Sequence, residues 1–416
     1  MTNCIVRIRK AGLWLAVAGY VGCALGQGGA TDLTETGAVE RALGRPALQA
    51  LYAGALETAA GDLVQARTLS NPVLGLEREQ LRGSPANERQ STYTISQRLE
   101  LGGKRGLRVD AASARLAASE AEVQDRRRIV AYEVRRRFHE ALIARLNTVA
   151  LEAWERRLAE AETLAQSLQR GGEVAGYDRR RVARERATAL SRLNSARADL
   201  QRALEVLRAL VGLDPATPLT VIGPLLPDSV APLDSYLARL EARPDLKALA
   251  ARADAFRHDE ALAQRSRIPD VTVSAGVKQV SSGPLSDSGV VLGLTIPLPI
   301  FERGEGGSRR AAGQARAMGA ERELALTKAQ GEVRGLWKQA SQLQAAAREF
   351  QRDALEASRR LTEIARAAYR GGEAGILELL DAQRSLVDAE TRAIELEYSA
   401  RAAVLELDLI AAGENP

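Results

Sequence analysis

Apolar residues recur every seventh position at Val109, Leu116, Val123 and Val130. A period of seven is the stripe of a helix that supercoils against neighbours. The pattern runs on to Arg170, so a helix from Leu107 to Arg170 would be about 96 Å long at ~1.5 Å per residue. Gly171-Gly172 supplies a turn, and Tyr177 to Val211 reads as helix again. The second half repeats this plan: Ser308 to Tyr369 is helical, Gly371-Gly372 turns, and Ile376 to Ala411 returns. Proline, which breaks helix interiors, is absent between Pro85 and Pro215 and between Pro299 and Pro416. The spacing therefore predicts two long helical hairpins, at about 106–211 and 308–411.

Ahead of each hairpin the period falls from seven to two. In Ser91–Leu101, Tyr93, Ile95, Leu99 and Leu101 share one face with Gln97, and polar Thr92, Thr94, Ser96, Arg98 and Glu100 take the other. Val290–Ile300 and Asp270–Lys278 alternate likewise, and Val73–Arg82 does so more faintly through Leu74 and Leu76. Polar stretches at Arg82–Gln90 and Ser281–Ser288 join the strands in pairs. The expected strands are about 73–82, 91–101, 270–280 and 289–300.

The chain is thus a tandem repeat. Its tips are nearly identical, Arg170-Gly171-Gly172-Glu173 and Arg370-Gly371-Gly372-Glu373, and stand 200 residues apart. The expected domains are a signal peptide at 1–26, a first repeat at 27–213, a connector at 214–234 and a second repeat at 235–416. Pro215, Pro218, Pro224, Pro227 and Pro232 mark the connector as non-helical.

Composition fits long helices: aromatics are only 4% of 416 residues, and Ala, Leu, Arg and Glu dominate. The formal charge is +5. Arg7, Arg9 and Lys10 form the positive start of a leader, followed by the apolar stretch Ala11–Val21, with Ala24 and Gly26 at the small-residue positions of a cleavage site. Without those three cations the mature chain stands near neutrality. Clusters such as Arg126-Arg127-Arg128 and Arg179-Arg180-Arg181 are interspersed with acids, which describes a solvated helix face and not a nucleic-acid surface.

Both cysteines, Cys4 and Cys23, fall in the leader, so the mature domain carries no disulfide framework. Tyr20-Val21-Gly22-Cys23 also resembles a bacterial lipobox, which makes Cys23 a lipidation candidate. No other stretch reads as a transmembrane helix, so a membrane-inserted form must use strands. The two histidines, His139 and His258, have no partner at ligand spacing, and no phosphate loop, dinucleotide fingerprint or nucleophile elbow occurs. These features point away from an enzyme, with no cofactor expected.

Open strand edges cannot face lipid, because unpaired backbone groups there cost several kcal/mol each. Four strands are too few to close a barrel, which starts at about eight in a single chain. Several copies must therefore share one barrel.

The run Ile95-Ser96-Gln97-Arg98-Leu99-Glu100-Leu101-Gly102-Gly103-Lys104-Arg105 resembles the strand-to-helix junction of TolC-family outer-membrane factors. Its Leu-Glu-Leu-Gly-Gly-Lys-Arg form is similar to the CzcC-like heavy-metal branch. Ile296-Pro297-Leu298-Pro299-Ile300-Phe301 is similar to the family's second-repeat counterpart. The resemblance implies a mainly α fold with a small β part. It implies a homotrimer in which a twelve-stranded outer-membrane β-barrel joins a trimeric α-helical tunnel in the periplasm. It also implies two partners, a periplasmic adaptor protein and an inner-membrane pump of the resistance-nodulation-division class.

On the same resemblance, Leu377-Glu378-Leu379-Leu380-Asp381-Ala382 matches the constriction segment, so Glu378 and Asp381 would form rings of carboxylates. They lie three apart, hence on one helix face. Tyr369 matches a tyrosine that links to the first repeat, and Asp178 the acid that receives it. The arginine expected just after the second tip is replaced by Ala374. The implied function is an efflux duct for small toxic solutes, heavy-metal cations above all. A drug-efflux duct, a type I protein-secretion duct and a periplasmic adaptor are the alternatives.

Overall fold

The computed structural model describes residues 31–83, 87–170 and 176–411. A short strand β1 (Thr31–Leu33) opens the described chain, followed by α1 (Glu35–Leu43) and α2 (Pro46–Arg67). Strands β2 (Val73–Leu81) and β3 (Glu88–Leu99) lead into α3 (Lys104–Arg170), a helix of 67 residues, and its return α4 (Gly176–Val211). The connector holds β4 (Leu219–Val221), which pairs in parallel with β1. Then come α5 (Leu233–Arg239) and α6 (Pro244–Gln264), strands β5 (Val271–Ser282) and β6 (Leu285–Thr295), and α7 (Glu305–Phe350). A π turn at Gln351–Leu355 separates α7 from α8 (Glu356–Arg370), and α9 (Ile376–Ala411) closes the second hairpin.

Each repeat also has a lead helix, α2 or α6, entering its strand pair. Both carry Pro at the first turn, where a missing N–H costs nothing. Sequence periodicity missed these helices, although the Arg45-Pro46 and Arg243-Pro244 starts lie 198 residues apart.

The four longer strands form one antiparallel sheet in the order β2-β3-β5-β6, so the two repeats pair through β3 and β5. Strand β6 runs from Leu285 to Thr295, not over the expected 289–300. Pro297 and Pro299 have no N–H to give a ladder, so pairing stops before them. At the other end the polar loop shrinks to two residues. Ser282 pairs with Leu285 around Gly283-Pro284, where Gly283 has φ +59°. A left-handed glycine followed by a proline locked at negative φ is the signature of a type II′ hairpin.

The register aligns the apolar faces across the whole sheet. Leu74, Ile95, Ala275 and Leu292 stand in one row, and Leu76, Tyr93, Val277 and Val290 in another. These side chains point away from the protein: Leu74 is 75% exposed and Leu292 78%. The opposite face carries rows such as Glu77, Thr92, Lys278 and Gly289. It is also crowded, since a Cβ on Gly276 would come within 2.1 Å of the Tyr93 carbonyl oxygen.

The junction motif ties sheet to helices. Asp270, only 7% exposed, accepts hydrogen bonds from Lys104 Nζ at 2.8 Å, from Arg98 and from the Leu101 backbone N–H at 3.3 Å. Arg108 grips Glu100 with two hydrogen bonds, of 2.9 and 3.0 Å. Gly102 sits at φ +73° with Ile268 against it, leaving no room for a side chain. Of the motif's charges, Arg98 and Lys104 are matched by Asp270 and Glu100 by Arg108, while Arg105 donates to the Arg67 carbonyl.

Candidate gate at the hairpin tips

Gly371 and Gly372 end α8, with Gly372 at φ +74°. A left-handed residue at a helix end fits glycine best, and it lets the Glu373 N–H reach back to the Ala368 carbonyl at 2.9 Å. The first tip, Gly171 and Gly172, lies outside the described residues, as does Cys23.

Glu378 and Asp381 are both exposed on α9, on the face that also carries Arg384. They line an open groove of about 490 Å³ between α4 and α9, together with Arg181, Arg184 and Glu185. Glu378 lies in the first turn of α9, where the helix N-terminus favours a negative charge. Its carboxylate folds back over Gly375, 2.9 Å from where a Cβ would be.

Tyr369 is 3% exposed and packs in the core between the hairpins with Leu158, Val182, Ile376 and Leu379. Burial pushes its phenol pKa up, and the nearby Asp178 charge adds to the rise. No hydrogen bond joins Tyr369 to Asp178, the link the resemblance implies: the Tyr369 hydroxyl has no partner. Asp178 lies in the first turn of α4, where free backbone N–H groups attract a carboxylate.

The link the structure does make was not anticipated. Arg384 on α9 grips Glu185 on α4 with two hydrogen bonds. Those bonds hold the Glu185 carboxyl below its ordinary range, against burial, which works the other way. Arg366–Glu160 at 2.7 Å and Arg157–Glu390 at 2.9 Å cross between the repeats in the same region. The sequence signal was faint: Glu185 is an isolated acid within Arg184-Glu185-Arg186, and Arg384 follows Asp381 by three.

His139 is buried on α3, and its ring contacts Glu35 at 2.9 Å, tying α3 to α1. Among the described residues, no three His, Cys, Asp or Glu side chains are grouped to hold a metal ion.

Residues 237–413 match the family described as outer membrane efflux protein. The chain is 30% identical over 346 residues to the cobalt-zinc-cadmium resistance protein CzcC of Cupriavidus metallidurans, covering 81% of this chain and 80% of that one. This chain belongs to the outer membrane efflux protein family. The efflux protein is also 32% identical over 287 residues to the nickel and cobalt resistance protein CnrC of the same organism, over 65% of this chain and 66% of that one. Among solved structures, its fold matches the outer membrane protein VceC of Vibrio cholerae with a TM-score of 0.74 at 22% identity, over 92% of this chain and 97% of that one. It matches CusC, whose structures concern transmembrane channel formation, with a TM-score of 0.71 at 17% identity, over 92% and 93%.

Proposed function

We propose that this efflux protein is the outer-membrane duct of a tripartite system that expels heavy-metal cations. The observation that carries the reading is the sheet. It has a continuous exposed apolar face, and β2 and β6 each leave an edge without a strand neighbour among the described residues. Strands of 9 to 12 residues have the length that a tilted membrane-spanning strand needs, about 9–11. Three copies would supply twelve strands and close both edges. The long helices would then form a tunnel reaching through the periplasm toward an adaptor and a resistance-nodulation-division pump.

Metal cargo is supported by the likeness to CzcC and CnrC, whose names give cobalt, zinc, cadmium and nickel. Glu378 and Asp381 would form two stacked carboxylate rings at the tip, a common device for selecting cations. Arg384, Arg181 and Arg184 in the same groove temper that field. In a wide duct, choice of cargo rests mainly with the pump. Cys23 would add a lipid anchor to a barrel that is already inserted.

Deleting the gene and testing growth on zinc, cobalt, cadmium and nickel beside a drug panel tests the reading. Sensitivity to metals supports it. Sensitivity to drugs alone would keep the duct and remove the metal assignment.

A further inference from the structure

The charges of the sheet are sorted by face. Strands β2, β3, β5 and β6 carry four acids, Glu77, Glu79, Glu88 and Asp287. Side chains alternate along a strand, so all four fall on the face opposite Leu76, Tyr93 and Val290. The apolar face holds no carboxylate within these strands. It holds two cations, Arg78 and Arg89.

Both arginines stand at the hairpin end of the sheet, away from α3 and α7. Arg78 pairs with Ser91 and Arg89 with Gln80, so the two are diagonal neighbours on one face. Diagonal positions lie about 7–8 Å apart, within reach of long side chains. Like charges so placed repel unless an anion joins them. Both arginines are exposed, and neither makes an ion pair or a side-chain hydrogen bond among the described residues.

The rows of the sheet locate a boundary. The row of Leu76, Tyr93, Val277 and Val290 is the last apolar one. The next on that face is Arg78, Ser91, Gln279 and Ser288. Beyond it come Gln80, Arg89, Ser281 and Ser286. Apolar side chains thus give way to arginine, serine and glutamine within one step of about 7 Å. Tyr93 is the one aromatic residue of the four strands, and it stands in that last apolar row. Tyrosine collects at the level of lipid headgroups. Arg78 lies one row past it and Arg89 two, where headgroup phosphates would stand.

In the proposed duct this end faces the exterior, because the long helices leave the other end for the periplasm. The outer leaflet is built of lipopolysaccharide, whose glucosamines carry phosphate. A guanidinium binds phosphate with two parallel hydrogen bonds. We infer that Arg78 and Arg89 form a binding site for the phosphates of lipopolysaccharide on the outer wall of the barrel. The serine and glutamine side chains of the same two rows supply donors for its sugars. The inference rests on the membrane-inserted sheet proposed above.

The test titrates the purified full chain in detergent with lipopolysaccharide, with its dephosphorylated form and with phosphatidylglycerol, following thermal unfolding. Lipopolysaccharide should raise the unfolding temperature of the parent, and the other two lipids should not. Arg78→Gln/Arg89→Gln should weaken the apparent affinity about tenfold or more. Lys278→Gln, which removes a cation from the opposite face, should leave it at the parent value. The dephosphorylated lipid probes the same contact with no substitution at all. Equal affinity in the glutamine pair, or an equal response to the dephosphorylated lipid, would overturn the site. An equal response to phosphatidylglycerol would overturn the choice of lipopolysaccharide. Leu292→Cys in native membranes checks the inserted sheet separately. Labelling of that cysteine by a water-soluble maleimide, above the level of the parent chain, would overturn the inserted sheet and the site together. Protection there, with no effect of lipopolysaccharide on the parent, would overturn the site alone.

Discussion

Arg384 on α9 holds the Glu185 carboxylate on α4 with a forked pair of hydrogen bonds, one of them 2.6 Å, and so joins the second repeat to the first beside the carboxylates of the tip. Glu185 is 7% exposed while Arg384 is 52% exposed, so the pair has a dry acid and a half-wet base. It occupies the part of the molecule where Ala374 leaves out the arginine that the family pattern would supply.

Removing the base should therefore loosen the tip. Arg384→Ala leaves a buried carboxylate without its charge partner, a cost of about 1–3 kcal/mol, reduced by the solvent that reaches the guanidinium. In planar bilayers the variant should open more often or conduct more than the parent. Unchanged conductance would show that this pair does not hold the closed form.

Acid should act the same way, with a definite sign. The Glu185 carboxyl is held below its ordinary value of 4.5 in the folded protein. Its contribution is therefore present in full above that value and is lost as the pH falls through the lower folded value. Closure should be stable from neutral pH down to about pH 5 and weaken only in stronger acid. A transition near neutrality in the conductance–pH curve would assign closure to another group.

Tyr369 gives the opposite expectation. Its hydroxyl is buried and makes no hydrogen bond. Tyr369→Phe should leave both thermal stability and bilayer conductance within about 0.5 kcal/mol of the parent, the ordinary range for a change that breaks nothing. A leaky Tyr369→Phe channel would show that the hydroxyl is bonded to Asp178 in the closed assembly after all.

Two adjacent glycines at the sheet-to-helix junction should separate on substitution. Gly102 and Gly103 both have positive φ, +73° and +71°. Alanine costs about 1–2 kcal/mol in that conformation. At Gly102 the new methyl would also stand 2.8 Å from Ile268 Cδ1, whereas Gly103 has open space around it. Gly102→Ala should lower the yield of protease-resistant protein in the membrane well below that of Gly103→Ala. Equal yields would contradict the packing at Ile268.

The hub at Asp270 should be more sensitive than its ligands. Asp270→Ala strands Lys104 and Arg98 and frees the Leu101 N–H, while Lys104→Ala leaves the other two bonds in place. Recovery of folded protein should fall further for the former variant.

Much of this architecture was legible because long-period signals survive without neighbours. The heptads of α3, the proline-free spans and the paired Arg-Gly-Gly-Glu tips need only the chain itself. What failed were features decided by contacts between distant segments. The lead helices α2 and α6 are amphipathic only weakly, and their burial is set by the helices they pack on, α3 for α2 and both α3 and α7 for α6. The end of β6 follows from two prolines whose effect depends on which edge needed an N–H. The Leu-Glu-Leu-Gly-Gly-Lys-Arg run pointed to a metal branch, yet Lys104 is spent on Asp270, Glu100 on Arg108, Arg105 on the Arg67 carbonyl and the glycines on a turn. It marks kinship through a structural corner and carries no cation chemistry of its own. At the tip, Glu378 and Asp381 were placed on one face by spacing alone. Glu185 and Arg384 meet across 199 residues and could not be paired from either repeat.

The most direct test of the central claim is growth of the deletion strain on zinc, cobalt, cadmium and nickel. It should be complemented by the parent chain and, separately, by a Glu378→Ala/Asp381→Ala chain. The account predicts that the deletion lowers the tolerated metal concentration, that the parent restores it, and that the double variant changes which metals are tolerated. Full metal tolerance in the deletion strain, with sensitivity confined to organic toxins, would contradict it.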